Sequence, residues 1–376
     1  MSESRMDRAQ FLRRAAALGL VAGAALPPPA AAAVGSETQA RSLGGGGRRL
    51  AFRGVAYDVG TGFLGDDSRV RWSRGLMQGE VRAIHDRLHA NWVSVYGSDV
   101  GRLVETATEV LKQGMAVSVQ PRAFDEPQAD ALGKLREVAI GAERLRRRFG
   151  AEVILVVGCE FMLFTPGIVP GADFFERVAY LEKGDYDMTE LQRKFRVFTA
   201  QMVKVARRHF HGRITYGAAH DLESVDWSLF DIVGLDFYGT DPKELAPFRR
   251  WGKPIMVLEF GCCTFTGAPE LGGMGWDIVD TNGEIPPQYI RDEQTQADHL
   301  VKMLKVFTAE GLLGASMYTF ISPDAPHRPD DRPHDEDIAA YSLCKVLRKD
   351  PDDPASSYRW EPKESFHAVA NYYANC

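Results

Sequence analysis

The sequence predicts one α/β domain folded as a (β/α)8 barrel, and two observations support this. Eight short apolar runs follow one another along the chain, and amphipathic stretches with helical period lie between them. The runs are apolar throughout, which is typical of strands buried on both faces of a parallel sheet. Strands that alternate with helices indicate a parallel α/β fold, and eight such units can close into a barrel.

The predicted elements follow in order along the chain. The apolar runs occupy 52–57, 92–96, 115–119, 153–158, 214–217, 232–235, 255–258 and 315–320. Apolar residues at helical spacing lie within 103–111, 132–145, 191–205 and 297–307. The fifth and sixth runs are close together, so only a vestigial helix near 225–229 is expected between them. A doubly wound open sheet is the alternative, although no Gly-x-Gly-x-x-Gly motif opens a helix after the first run.

Three connections are longer than a barrel requires, and they follow the fourth, seventh and eighth runs at 161–186, 262–290 and 321–336. All three would emerge at the carboxyl end of the strands, so they are expected to form the walls of a pocket. The first connection begins with the apolar residues 161–164, which favours a hydrophobic wall on that side.

The predicted barrel domain covers 49–376, and two other segments precede it. Residues 1–34 contain the pair Arg13 and Arg14, an apolar stretch and a region of small residues, which is the pattern of an export signal. The arginine pair beside the apolar stretch resembles a degenerate twin-arginine signal. Residues 35–48 are glycine-rich and predict a flexible linker. We therefore expect an exported protein whose apolar stretch is too short for a stable membrane span after cleavage.

Charge and cysteine content narrow the possible partners. The net charge of -6 gives no basic footprint for nucleic acid, so no nucleic-acid partner is expected. Five cysteines do not make a disulfide-rich scaffold. A bridge from Cys159 to Cys262 or Cys263 is one possibility in an exported protein, and burial as small apolar side chains is the other. Paired ligand spacing for zinc is absent, so the sequence predicts no metal or other cofactor.

Two glutamates directly follow predicted buried strands. Glu160 follows the fourth run and Glu259 follows the seventh. Barrel enzymes carry their chemistry at this edge of the sheet. Paired carboxyl groups suit glycoside cleavage, with retention at a separation of ~5 Å and inversion at ~6.5–9.5 Å. Like charge and the apolar loop at 161–164 are expected to raise the pKa of Glu160, which would keep it protonated as an acid.

Other polar or aromatic side chains at strand ends are candidates for contact with a substrate. They are Asp58 after the first run, Tyr96 after the second, Gln120 and Arg122 after the third, His220 after the fifth, and Tyr238 after the sixth.

Glutamates on the fourth and seventh strands resemble the signature of the clan A retaining glycoside hydrolases, the cellulase and β-galactosidase-like superfamily. The Asp-Phe-Tyr-Gly segment at 236–239 is similar to the segment that carries the family's nucleophile-binding tyrosine. Residues 362–366 are similar to the Pro-Lys-x-x-Phe/Tyr start of its last helix. The resemblance implies that Glu160 is the acid/base, that Glu259 is the nucleophile bound by Tyr238, and that the substrate is a carbohydrate or glycoside.

Two positions depart from the family pattern. Cys159 stands where the family has an asparagine that binds the sugar 2-hydroxyl, and a thiol is a weak donor. The tryptophan that ends the eighth strand is missing, so Phe320 or Tyr318 would have to replace it. Two alternatives therefore stay open. One is a non-catalytic barrel that binds a glycan or a partner protein, and the other is a barrel that uses the same carboxylates for non-hydrolytic proton chemistry.

Overall fold

The computed structural model describes residues 49–63, 66–280 and 282–376. The predicted export signal and linker lie outside the described residues. Eight parallel strands form a closed barrel in which neighbours in sequence are neighbours in space, and β1 pairs with β8. The predicted (β/α)8 fold is therefore confirmed. The barrel strands are β1 Phe52–Asp58, β2 Trp92–Gly97, β3 Ala116–Pro121, β4 Val153–Cys159, β5 Arg213–Ala219, β6 Val233–Asp236, β7 Ile255–Phe260 and β8 Gly314–Met317.

Helices cover the outside of the barrel. They are α1 Arg74–Asp86, α2 Val100–Lys112, α3 Gln128–Phe149, α4 Phe161–Phe164, α5 Phe174–Glu182, α6 Met188–His209, α7 Glu293–Ala309 and α8 Glu364–Ala374. Between β5 and β6 the helix is reduced to a 3-10 turn at Trp227–Leu229, as the short spacing predicts. Further 3-10 turns occupy Pro242–Trp251, Ala268–Met274, Arg332–His334 and Glu336–Ala339. Over the described ranges, no helix has both the length and the apolar character needed to cross a bilayer.

The longer helices each have one apolar face, and most of them also have a side-chain N-cap. In α6 the carboxylate of Asp187 accepts hydrogen bonds from the backbone N–H groups of Thr189 and Glu190. Such an N-cap satisfies donors that the first turn of a helix leaves unpaired. Phe195 and Phe198, two residues of the predicted apolar stripe, are buried against the barrel.

A separate apolar cluster fills the interior of the barrel. It is built by residues of β2, β4 and β7, together with Ile232 just before β6. Trp92 is its largest member and is fully buried. The space for its ring exists because residue 54 of β1 is a glycine, and a Cβ at Gly54 would overlap the indole. The interior is thus packed, and any site must lie at the ends of the strands.

The chain after β8 builds a small sheet from Ile321–Pro326, Cys344–Arg348 and Tyr358–Pro362. This sheet leads to Lys363, whose ammonium group pairs with Asp337 at 3.0 Å and donates to Thr264 Oγ1 at 2.8 Å. Helix α8 follows and packs on α7. The hydroxyl of Tyr373 donates to the carbonyl of Gly54 in β1 at 3.0 Å. The last residues therefore cover the junction of β8 with β1.

Candidate active site

Glu160 is the first residue after β4, where the chain turns out of the barrel. Its backbone is left-handed, with φ 44° and ψ 48°, and its N–H donates to the carbonyl of Gly217 in β5 at 2.9 Å. A non-glycine residue in this region costs ~1–2 kcal/mol. Strain of this kind persists where neighbouring bonds hold it, and it is concentrated at functional sites. Glu160 is thus held at the C-terminal end of the barrel strands, and the residue as a whole is partly exposed.

Two buried side chains fix the turn that follows Glu160. Tyr216 accepts a hydrogen bond from the N–H of Phe161 at 2.7 Å, and Glu223 accepts one from the N–H of Met162 at 3.0 Å. The hydroxyl of Tyr216 also donates to the Glu223 carboxyl group at 2.8 Å. Burial raises the pKa of Glu223 to about 8. We call Tyr216 and Glu223 the turn clamp, and sequence reasoning did not find either residue because both lie 55 or more positions from their partners.

Glu259 lies within β7 and is 7% exposed. Its Oε1 forms an ion pair with the Arg122 guanidinium, and its Oε2 accepts a hydrogen bond from the Tyr238 hydroxyl at 3.1 Å. Both oxygens thus have donors, one of them permanently charged. A hydrogen bond between a charged donor and a carboxylate is stronger than one between neutral groups.

The two glutamates influence each other electrostatically. Loss of solvation raises the pKa of Glu160 well above its usual range, and the negative charge of Glu259 raises it further. Glu259, by contrast, is paired with Arg122. The two carboxyl groups therefore have different surroundings, since one has lost its solvation and the other is paired with a cation.

Arg122 gathers several of the predicted contact residues. Its guanidinium lies over the ring of Tyr96, 4.5 Å from the centroid, and donates to Gln120 Oε1 at 3.2 Å. Tyr96 stacks on Tyr318 with ring centroids 5.5 Å apart. Because Tyr318 directly follows β8, the end of that strand contributes an aromatic ring to the same side of the mouth. The structure thus brings Tyr96, Gln120 and Arg122 together beside Glu259.

Three other predicted residues lie away from this contact network. Asp58 is buried, and its carboxyl group accepts hydrogen bonds from Gly60, Thr61 and Ser68. Phe320 is fully buried, with its ring against Trp360 and Phe366 behind the barrel wall. Of Phe320 and Tyr318, only Tyr318 stands at the barrel mouth. His220 lies near the mouth, and its Nε2 is 2.8 Å from Glu244 Oε2.

The cysteines near the site are unbridged. All five cysteines of the chain are free, and the possible bridge between Cys159 and the Cys262–Cys263 pair is not formed. Cys159 is 4% exposed, and burial raises the pKa of its thiol well above the usual range. Cys263 donates to the carbonyl of Ala339 at 3.0 Å. These thiols behave as small buried side chains.

Asp236 is a site residue that sequence reasoning did not select. It ends β6 and is 2% exposed, and neither carboxyl oxygen has a hydrogen-bond partner among the described residues. Burial and then the charges of Glu259 and Glu160 raise its pKa well above the usual range. The strand-end criterion that selected Tyr238 could have found it, because the two residues share one segment.

An aromatic cluster forms one wall of the mouth. Its closest pair is Phe124 and Phe164, which stack with ring centroids 3.8 Å apart, and the Arg122 guanidinium lies 5.3 Å from the Phe124 centroid. The cluster therefore reaches the ion pair of Glu259, and it includes the end of the apolar segment 161–164. Its members belong to four separate connections between one barrel strand and the next. They are Phe63, Phe124, Phe164, Phe174, Phe175 and Trp276.

Within 49–63, 66–280 and 282–376, no group of three or more His, Cys, Asp or Glu side chains is placed to hold a metal ion. The site in this part of the chain consists of acidic, aromatic and amide side chains around one arginine. The fold and the site together define a (β/α)8 barrel with paired carboxyl groups at its carboxyl end.

No protein-family model matches the chain, and no curated protein matches it. Solved structures do match. A GH113 β-1,4-mannanase aligns with a TM-score of 0.55 and 15% identity, over 88% of this chain and 100% of the mannanase. A GH2 β-galacturonidase from Eisenbergiella tayi, bound to galacturonate, aligns with a TM-score of 0.52 and 13% identity, over 88% of this chain and 52% of its own. A Parabacteroides merdae β-glucuronidase aligns with a TM-score of 0.50 and 13% identity, over 86% of this chain and 37% of its own. The chain therefore has a glycoside hydrolase-like (β/α)8 fold.

Proposed function

We propose that this protein is a retaining glycoside hydrolase, with Glu160 as general acid/base and Glu259 as nucleophile. One observation carries the proposal. Glu160 has a raised pKa at the mouth of the barrel, whereas Glu259 beside it is bound by Arg122 and Tyr238. Retaining glycosidases need one carboxyl group protonated and the other ionised, on either side of one bond.

The proposed reaction has two displacements. Glu259 attacks the anomeric carbon, the glycosidic C–O bond breaks, and the proton of Glu160 passes to the departing oxygen. Glu160, now ionised, removes a proton from a water molecule, whose oxygen displaces Glu259 and releases the sugar. Arg122 and Tyr238 orient the Glu259 carboxylate before the attack. The aromatic cluster lines the side of the mouth next to Arg122 and is suited to an apolar leaving group.

The test is turnover of a panel of aryl glycosides, with β-1,4-mannan oligosaccharides included because of the similar mannanase structure. We expect Glu259→Gln and Glu160→Gln to lose turnover by a factor of about 10² to 10⁴. Glu152→Gln is the matched control, since Glu152 lies at the opposite end of the same strand as Glu160 and pairs with Arg213 at 2.9 Å. Turnover that survives in Glu259→Gln would contradict the proposal.

The pH profile offers a second check. Because Glu160 must carry a proton and its pKa is raised, activity should fall as the pH rises through that pKa, at a higher pH than an ordinary glutamate would give. In Glu160→Ala, a substrate with an activated leaving group should still react, and the basic limb should disappear. A basic limb that remains in Glu160→Ala would assign the acid to another group.

A glycan-binding barrel without turnover is the second candidate. It is favoured by Cys159, a weak hydrogen-bond donor in the position where related enzymes bind the sugar. The two candidates differ in turnover by the wild type. A binding protein binds an oligosaccharide without cleaving it, whereas the hydrolase cleaves it.

A further inference from the structure

Asp236 is a buried polar residue of this site that the proposed mechanism does not use. It lies inside the barrel, two residues beyond Gly234, and a Cβ at Gly234 would lie 2.9 Å from a methyl carbon of the interior residue Leu258. The next side chain, Phe237, points outward and packs against Phe307 of α7. Among the residues that the structure describes, no donor reaches either oxygen of Asp236. An unpaired buried carboxyl group is costly to the fold, so a partner outside the chain is expected.

The surroundings of Asp236 belong to the candidate active site. A Cβ placed on Gly217 would lie 2.8 Å from Asp236 Oδ2 and 3.1 Å from the Cβ of Cys159. Asp236 and Cys159 therefore stand on either side of one glycine, and that glycine accepts the backbone N–H of Glu160. The absent side chain at Gly217 leaves room next to the Asp236 carboxyl group. Asp236 thus forms the floor of the site, beside the acid/base.

The charges around this floor limit what can bind there. The ionisable groups that act on Asp236 most strongly are Glu259, Glu160 and Glu223, which repel its anion, and Arg122, which attracts it. Arg122 is already paired with Glu259. An anionic ligand would therefore lie among the carboxyl groups of Asp236 and these three glutamates, and Arg122 would not be free to pair with it. A neutral carboxylic acid carries one O–H donor and one carbonyl acceptor, which matches a sugar hydroxyl that accepts and donates.

We propose that Asp236 is a substrate-binding residue that holds a ring hydroxyl of an uncharged sugar on the floor of the site. The assignment rests on the proposed function for the position of the sugar beside the cleaved bond. It deepens that function by naming the sugar class: uncharged hexosides are accepted, and uronides are excluded. An amino sugar, which would pair with an ionised Asp236, is the competing outcome of the test.

The free energy of unfolding and the binding affinity together show whether Asp236 binds substrate or only supports the fold. Removing an unpaired buried carboxyl group relieves a cost to the fold, so Asp236→Ala should raise the free energy of unfolding while it weakens binding. The matched control is Asp231→Ala, just before the other end of β6. Asp231 accepts from Arg207 at 2.8 Å and from the N–H of Ile214 at 2.7 Å. Its removal should lower the free energy of unfolding and leave binding unchanged.

The experiment measures calorimetric binding to the Glu160→Gln protein and to double variants that add Asp236→Ala, Asp236→Asn or Asp231→Ala. The probes are β-1,4-linked trisaccharides of mannose, glucose, galactose, glucosamine and galacturonic acid. We expect an uncharged trisaccharide to bind best and Asp236→Ala to weaken it about tenfold. Asp236→Asn, which keeps a donor and an acceptor in the same shape, should stay within about threefold.

Several results would overturn the assignment. They are equal affinity in all variants, a less stable Asp236→Ala protein, no binding of any uncharged probe, or a preference for the glucosamine trisaccharide that Asp236→Asn abolishes. If the wild type binds the probes without turnover, the hydrolase proposal is rejected, and the Asp236 variants still test the binding proposal. If turnover depends on Glu259 but is unchanged in the Asp236 variants, only the Asp236 proposal is rejected.

Discussion

The turn clamp offers the sharpest quantitative test, through the substitution Glu223→Gln. Glu223 is 6% exposed, and burial raises its pKa from 4.5 to about 8. It accepts hydrogen bonds from Tyr216, from the N–H of Met162 and from the N–H of Ala219 at 3.1 Å. A glutamine retains the shape and one acceptor oxygen but cannot ionise.

The magnitude follows from proton linkage. Between pH 4.5 and about 8 the folded protein holds the Glu223 proton and the unfolded chain releases it, so stability falls as the pH rises. The difference of about 3.5 pH units, at about 1.36 kcal/mol per unit, amounts to about 5 kcal/mol. The loss of stability is complete above the pKa that Glu223 has in the folded protein. It is absent below the pKa that Glu223 has in the unfolded chain. Glu223→Gln should therefore gain about 5 kcal/mol over the wild type across this range.

The assay is urea denaturation of both proteins at several pH values from about 4.5 to about 8.5. Glu143→Gln is a control that should lower stability by a constant amount over this pH range, because the hydrogen bond from Arg146 lowers the pKa of Glu143 to about 2. The stabilisation from Glu143 is present above its unfolded pKa and lost as the pH falls toward 2. Parallel pH curves for wild type and Glu223→Gln would refute the reasoning, since they would mean that Glu223 is already ionised in the folded protein.

Three further perturbations test other contacts. Arg122→Met leaves the buried Glu259 carboxylate without its cation, so denaturation should show a loss of ~3–5 kcal/mol. Lys363→Met removes one of two cations from the fully buried Asp337, which keeps Arg291 at 2.7 Å, so the loss in the same assay should be smaller than the ~3–5 kcal/mol of an unpaired buried charge, and adding Asp337→Asn should recover part of it. Phe124→Ala removes a ring that lies against Arg122, so KM should rise more for aryl than for alkyl glycosides, by ~0.5–1.5 kcal/mol in binding.

The barrel strands were predictable because burial on both faces leaves a mark in the sequence. Each of the eight apolar runs overlaps a strand, and all four stripes at helical spacing lie within α2, α3, α6 and α7. Helix α1 was not among the predicted stripes. The small sheet after β8 was also missed, because its first strand, Ile321–Pro326, contains two prolines and alternates between buried and more exposed positions. Such a strand lacks the continuous apolar pattern.

The candidate site was predictable to the extent that it is local. Glu160 and Glu259 could be read from their positions after apolar runs, and the structure brings both to one end of the barrel. The family resemblance named Tyr238 as a partner of Glu259, but the other partners of these residues could not be read, because they come from far along the chain. Arg122 and Glu259 are 137 positions apart, and Met162 and Glu223 are 61 apart. Spacing within one segment carries no information about contacts that only the closed barrel creates.

The bond from Tyr373 to the carbonyl of Gly54 spans 319 positions, and it bears on how the chain is made. Residue 54 is synthesised 319 positions before residue 373. Until residue 373 has left the ribosome, the seam between β8 and β1 lacks its outer cover, and the nascent barrel presents an apolar strip there. Domains tend to fold as units during translation, and long-range contacts form late. The barrel should therefore acquire protease resistance only after α8 has emerged from the ribosome, in a single late step.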